Sequence, residues 1–544
     1  MSSVPRLSRV ARAFPVGALL VALSGVAVGA SFPGDPSVNL GVAVKPGSQT
    51  VQKAATLPDG TTWVAWFDAA DGSFRVYAQL LSPTGDKAFA DDGLLVSSAP
   101  QSTSLVDWDI IADADGAAVL VFTDTRDGAD RDVIAQRILP DGTAQWGTNG
   151  KQISINADFE AAPRVVQDAV TGQYHISWLR SDSARGIYYQ RLDASGVEQV
   201  EVGGVRIAGD GVEGPGFHTK VAHPSGGFIM VYVRDTRTFA SPRHVYAQRF
   251  DSSAGASWNM GGPVIVSNAS SIPIAQYPQI ALASDGGAAF AWSDSREGPS
   301  RVFAQRVDAS GAPQFAANGV SASTRADRIQ FEPAIAFVDD TLDLMLFFND
   351  RNGAQSIRGI GVQRFGPSGA RSLGDFGVEV LPFNAENKTA PRAARASGGA
   401  TMLVTVEPSF GVVNLVAVRV DAAGQFVWDN GGVRMVSDAN GSKSRLLATT
   451  DASGVVRAVW EDGRNDSGDV FAQNINPDGT LGAATTPCPG DTNGDGVVNF
   501  SDLNAVLSAF GQSGAGIPGD LNGDGVVNFS DLNIVLSEFG SSCD

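Results

Sequence analysis

The chain has 544 residues, 39 basic against 58 acidic, and a formal net charge of −19. So acidic a chain is a poor partner for nucleic acid or an anionic membrane surface. Its 63 glycines and 27 prolines leave little room for long helices and point to an all-β protein rich in turns.

At the N-terminus, Arg6, Arg9 and Arg12 precede an apolar stretch over residues 14–30. Val28 and Ala30 stand at the −3 and −1 positions of a cleavage site before Ser31. This pattern predicts a signal peptide over 1–30 and a secreted, extracellular or cell-surface protein. The alternative is an uncleaved anchor, but the stretch is short for a span and holds Pro15, Gly17, Gly25 and Gly29. No later segment is long and apolar enough to span a bilayer as a helix.

Residues 31–481 form a repeat array. An aromatic recurs at Trp66, Phe122, Trp178, Tyr232 (shifted by one residue), Trp292, Phe348 and Trp460, with Val406 in its place in the seventh copy. An Ala-Gln position recurs at Gln79, Gln136, Gln190, Gln248, Gln305, Gln363 and Gln473, with Val418 in the seventh. The mean period is about 56 residues over eight copies. Each copy carries four short strand signals and Gly-based hairpin turns such as Asp285-Gly286 and Ser310-Gly311. Four strands at this period predict the blades of an eight-bladed β-propeller. The last copy stops after its third strand, and 41–44 near the N-terminus can supply the fourth and close the ring. The alternatives are an open array or two sandwiches. The repeat resembles uncharacterised secreted bacterial propeller repeats of the W-x-D-x-R…Y-A-Q-R type. That likeness implies architecture and not chemistry.

Asp-x-Arg follows the aromatic strand at Asp124/Arg126, Asp235/Arg237, Asp294/Arg296 and Asp462/Arg464, shortened to Asp350-Arg351 in copy six. A motif spread around a ring cannot converge on one substrate. It reads as a turn-capping Asp with an Arg that joins neighbouring blades, and the repeated Gln as a structural hydrogen-bonder. The four histidines, His175, His218, His223 and His244, follow no metal-ligand spacing. Chemistry particular to this ring is expected where copies break the pattern: Arg180, Arg234, Glu407 and Glu461. Such residues can line one mouth of the channel, with two carboxylates as acid and base. Repeat drift is the plainer reading of them.

Residues 482–487 read as a Gly/Ala/Thr/Pro linker, and 488–544 as a second module with eight acids and no Lys or Arg. It holds two near-identical loops, DTNGDGVVNFSD at 491–502 and DLNGDGVVNFSD at 520–531. Oxygen donors fall at the spacing Ca²⁺ requires. The predicted ligands are Asp491, Asn493, Asp495, the Val497 carbonyl, Asn499 and Asp502, then Asp520, Asn522, Asp524, the Val526 carbonyl, Asn528 and Asp531. Helices are expected over 503–510 and 532–539, burying Leu503, Val506, Leu507 and Phe510 on one face.

Duplicated loops of this kind, each followed by one helix, resemble a type I dockerin, a module that attaches secreted proteins to cohesin partners, usually in polysaccharide-degrading systems. The likeness implies two bound Ca²⁺ ions and a cohesin-like partner. The residues that dockerins present to cohesin correspond here to Phe500, Ser501, Phe529 and Ser530, where cellulosomal dockerins often carry Ser/Thr pairs. It also makes a disulfide clasp between Cys488 and Cys543 plausible, with two free thiols as the alternative. The propeller is then expected to bind a polysaccharide or a surface protein. The rival readings are a glycoside hydrolase in polysaccharide catabolism and a structural component without ligand chemistry. The propeller residues alone lean away from an enzyme.

Overall fold

The computed structural model describes residues 31–544 except 70–71, 102–106, 127, 129, 182–184, 210–213, 236–242, 274–276, 340, 430, 467, 484–489, 494–496, 514–516, 518, 523–524 and 542–544. The signal peptide read at 1–30 lies outside the described residues.

Eight four-stranded antiparallel sheets follow one another along the chain. The first consists of Gln49–Thr56, Thr62–Asp68, Phe74–Leu81 and Leu94–Gln101. The first strand of each sheet contacts the first strand of the next, and that of the eighth, Lys443–Thr450, contacts Gln49–Thr56. The sheets are therefore blades of an eight-bladed propeller, with their first strands innermost. Leu40–Ala43 is the outer strand of the eighth sheet, with Leu40 opposite Ala472 and Gly41 opposite Phe471. Blades one and eight also meet at their inner edges, where the Thr56 and Thr449 hydroxyls lie 2.7 Å apart.

The second strands show why the repeat packs. Every residue of Thr62–Asp68, Ala118–Asp124 and Ala288–Asp294 is buried, so both faces of the blade are covered by its neighbours. Trp66, Trp178, Trp292 and Trp460 are fully buried, each contributing about 1.5–3 kcal/mol of apolar burial. Trp292 stacks on Phe303 of the third strand at 6.3 Å. The Gly before the outer strand completes the unit. At Gly319 (φ 85°) a Cβ would stand 2.7 Å from the Ala304 carbonyl oxygen and 2.8 Å from the Trp292 ring, so only glycine fits.

Strand pairing corrects the repeat at two places. Val404, not Val406, occupies the aromatic position of blade seven, because Val404 faces Val416 as Trp292 faces Phe303. Tyr232 faces Tyr246 and is in register without any shift.

The C-terminal module has two short helices, α1 (Phe500–Ala509) and α2 (Phe529–Ser537). Both begin three residues before the expected position. Asn499 and Asn528 are N-caps, each in a capping box with the Asp three residues on, which extends the helix backwards. The core is Val498, Val506, Ala509, Val527 and Val535. Leu507 is 49% and Phe510 39% exposed, so the expected apolar face is only half covered; two short helices cannot enclose it.

Candidate functional site

The site forms where the inner strands depart from regular β structure. In six blades the inner strand carries a bulge, with a non-glycine residue in the left-handed region: Val51, Ala162, Phe217, Glu332, Ala390 and Arg445, φ between 48° and 57°. The pairing slips by one residue at each. A bulge re-aims side chains and costs about 1–2 kcal/mol for each left-handed residue. In blades two and five the inner strands are short, Asp109–Ala112 and Gln279–Leu282. Asp107 and Tyr277, just before them, stand at the level of the bulges.

At this level five residues from four blades meet. Lys53 of blade one donates to Asp107 of blade two at 2.7 Å. Arg164 of blade three pairs with the other oxygen of the same carboxylate. The Arg164 guanidinium also lies 5.4 Å from the ring centroid of Tyr277 in blade five. Asp109 accepts the backbone N–H of Val165 at 3.1 Å. Burial opposes the charge on Asp107, but Arg164 and Lys53 outweigh it and hold the carboxyl well below the usual carboxylate range. At Asp109 burial prevails over the same two cations and pushes the carboxyl up. Burial and Asp107 raise the Tyr277 phenol, so it stays protonated. Two carboxyl groups two residues apart are thus driven toward opposite protonation states, the arrangement that assigns acid and base roles in catalytic sites.

Two cavities adjoin this cluster. One of about 250 Å³ is lined by Arg164, Lys220, Tyr277 and Gln279. The other, about 210 Å³ between blades three and four, is lined by Phe159, Phe217, Arg180 and Arg185. They meet at an edge-on ring contact between Phe217 and Tyr277, 5.3 Å between centroids.

The residues singled out by sequence divide sharply. The Asp of Asp-x-Arg caps its turn: Asp294 accepts the Arg296 N–H at 2.9 Å and the Trp292 indole N–H at 3.1 Å. The Arg joins neighbouring blades at Arg464, which donates to the Ser437 hydroxyl of blade seven at 3.3 Å, but stays within its own blade in blades two and five. Arg126 and Arg296 reach carbonyls at the start of their own blade's outer strand, Asn149 and Asn318. The asparagine side chains make the step between blades, accepting Ser98 and Asn268 N–H groups. The Asp235 side chain and Arg237 lie outside the described residues. The repeated Gln is structural. In blade five, Gln305 accepts the N–H groups of Arg306 and Phe315 and donates to the Ala316 carbonyl, tying the third strand to the loop behind it.

Each histidine is used within the fold. His175 lies between the Tyr189 hydroxyl and Asp168, at 2.6 and 3.0 Å, and burial pushes its pKa down to about 4. His218 contacts Ser177, His223 the Gly286 carbonyl, and His244 the Ser270 carbonyl. Among the described residues, no group of three His, Cys, Asp or Glu is placed to hold a metal ion.

Of the pattern-breaking residues, Arg180 pairs with Asp158 and borders the 210 Å³ cavity. Arg234 borders a larger one of about 420 Å³ with Arg206 and Tyr232. Glu461 accepts from Arg445 at 2.6 Å near the bulge of blade eight. Glu407 accepts from Asn387 at 3.0 Å. Sequence reasoning did not find Lys53, Asp107, Asp109, Arg164 or Tyr277. Their signal lies in the inner strands, where the level held by Val51, Ala162, Phe217, Glu332, Ala390 and Arg445 in the other blades becomes Asp107 and Tyr277.

In the C-terminal module, Asp502 and Asp531 are fully buried. Asp502 accepts the N–H groups of Thr492, Asn493 and Asn499, and Asp531 those of Leu521, Asn522 and Asn528. Asp520 accepts the Gly525 N–H at 2.9 Å across its loop. Asn499 and Asn528 use their side-chain oxygens to cap α1 and α2. Asp495, Asp524, Cys488 and Cys543 lie outside the described residues. Phe500 and Phe529 are 70% and 69% exposed, beside Ser501 and Ser530. Each meets one ring of the other half edge-on, Phe539 at 4.9 Å and Phe510 at 5.1 Å.

No family model matches the chain, and no curated protein matches it. Solved structures with a similar course include an ulvan lyase described as a new family of polysaccharide lyase (10% identity, 84% of this chain and 96% of that one, TM-score 0.46). Another is the polysaccharide lyase Uly1 (11% identity, 71% and 93%, TM-score 0.44). A third is the endo-arabinase of Bacteroides thetaiotaomicron (15% identity, 59% and 95%, TM-score 0.28). At TM-scores below 0.5 these likenesses assign no residue a role.

Proposed function

We propose that the inner-strand cluster of Lys53, Asp107, Asp109, Arg164 and Tyr277 forms the mouth of the central channel and is a polysaccharide site, and that the protein is a secreted glycoside hydrolase. The observation that carries this reading is the opposed pair Asp107 and Asp109. Asp109, whose burial favours the neutral carboxyl, can give its proton to the glycosidic oxygen as the bond to the anomeric carbon breaks. Asp107, kept ionised by Arg164 and Lys53, supplies the negative partner for the developing positive charge, while water adds to the anomeric carbon and gives its proton back to the Asp109 carboxylate. Phe217 and Tyr277 offer ring faces for the apolar side of a sugar.

The clamp of two cations on Asp107 favours a second reading, a propeller that binds its glycan without cutting it. Reducing-end release from a panel of extracellular polysaccharides separates the two. Asp109→Asn should lower release about 100-fold and leave binding in place. Wild-type protein that binds glycans and releases nothing, or a variant as active as wild type, ends the hydrolase reading.

The C-terminal module is the proposed anchor. Its loops offer only oxygen donors, and it buries two carboxylates in a segment without Lys or Arg. Three backbone N–H groups hold each of these carboxylates ionised, and two Ca²⁺ ions held by 491–502 and 520–531 would use their remaining acceptor sites. Exposed Phe500 and Phe529 with Ser501 and Ser530 then form the face for a cohesin-like partner, and a Cys488–Cys543 clasp would hold the module's ends.

A further inference from the structure

Blades three and four differ from five others in the sign of the charge at one register position of the second strand. Two residues past the aromatic, the second strand carries an Asp in blades one, two, five, six and eight: Asp68, Asp124, Asp294, Asp350 and Asp462. In blades three and four that same register position is Arg180 and Arg234. Arg180 borders the 210 Å³ cavity, where Arg185 lies beside Phe159 and Phe217. Arg234 borders the 420 Å³ cavity, where it is joined by Arg206. Val233 lines the first and Arg234 the second, so both cavities border the second strand of blade four. The Phe217–Tyr277 contact carries the first on to Arg164 and Lys53 at the mouth.

The charge balance of the segment agrees. Residues 151–272 hold eleven basic and eleven acidic residues in a chain whose net charge is −19, so the whole excess of acid lies elsewhere. A cationic strip on an otherwise acidic surface selects for anions, and a guanidinium matches a planar carboxylate or a sulfate ester in a way that a neutral hydroxyl does not. Phe159, 51% exposed, gives the strip an aromatic face of the kind that stacks on a sugar ring.

We infer that the groove over blades three and four binds the anionic sugars of a polysaccharide, uronates or sulfated residues, and delivers the chain to the mouth. This rests on the reading of the mouth as a polysaccharide site. Calorimetry on the full chain with an oligouronate, a sulfated galactan oligosaccharide and a neutral glucan oligosaccharide of equal length tests it. At least one anionic ligand should bind ten-fold or more tightly than the neutral one, and weaken as salt is raised; which one identifies carboxylate or sulfate as the recognised group. Arg180→Gln with Arg234→Gln should remove that preference and leave the melting temperature within a few degrees. Should the double variant unfold, Arg206→Gln at an exposed position is expected to weaken anion binding alone. Equal affinity for neutral and anionic ligands, an unchanged preference in the variants, or no glycan binding overturns the inference. Anion binding without cleavage upholds it while removing the hydrolase reading.

Discussion

Glu160, next to the groove, should make the propeller less stable as pH rises. Its side chain is fully buried, and one oxygen has no hydrogen-bond partner. The other accepts from Asn156 at 2.5 Å. Burial, then Asp132 and Asp158, push its pKa from 4.5 up to about 8, against the pull of Asn156 and Arg180. Below pH 4.5 the carboxyl is protonated in both folded and unfolded chains and affects neither. Above it the unfolded chain loses the proton while the folded one keeps it, so the unfolded state gains until the folded carboxyl ionises near 8. The full shift corresponds to about 5 kcal/mol. Screening through the partly exposed Arg180 and Asp158 beside it reduces this to about 2–3 kcal/mol. Glu160→Gln keeps an oxygen for Asn156 and removes the charge. Urea denaturation at pH 5 and pH 8.5 should show the wild type losing about 2–3 kcal/mol more than the variant across that window. Parallel pH dependences of the two proteins would refute the reasoning.

His175 gives the opposite slope at lower pH. With its folded pKa near 4 and an unfolded value near 6.5, stability should fall by about 3 kcal/mol as pH drops through that window, and His175→Gln should flatten the decline. Deleting residues 31–47 removes Leu40–Ala43, whose Leu40, Val42 and Ala43 are buried against blade eight. We expect a loss of about 3–5 kcal/mol felt by the whole ring, and an unchanged melting temperature would contradict a closing role. Two Ca²⁺ ions per chain should be detected by titration, and Asp502→Ala with Asp531→Ala should abolish binding; retained stoichiometry in that variant would remove the site. Phe500→Ser with Phe529→Ser should keep the Ca²⁺ stoichiometry and lose a cohesin-like partner, because both rings stand outside the core; loss of Ca²⁺ binding instead would place them in it.

The blades were legible in sequence because packing repeats. Seven of the eight copies carry an aromatic on the second strand and a Gln on the third, and blades one to seven a Gly before the outer strand, and those demands recur with the period. Blade seven was misread by two residues because its second hairpin is longer, Gly399–Ser409 with Val412–Asp421, and carries no aromatic to mark the register. Arg180 and Arg234 stood out as breaks, but their cavities depend on which blades are neighbours. The mouth was not legible at all. Asp107 and Tyr277 precede the two shortened inner strands, so no strand pattern marks them. The six bulges shift their equivalents by a residue, which hides the alignment. Lys53, Asp107, Arg164 and Tyr277 meet only because the ring brings inner strands from separate blades to one axis, and no local periodicity records that meeting. Packing at this level is satisfied by Val51, Ala162 and Ala390. Placing Asp107 there instead, against the buried Arg164, costs several kcal/mol before their mutual attraction offsets it. Glu332 and Arg445 at the same level pair with Arg351 and Glu461 of their own blades, whereas Asp107 draws its cations from two other blades, the contact that the proposed ligand site would use.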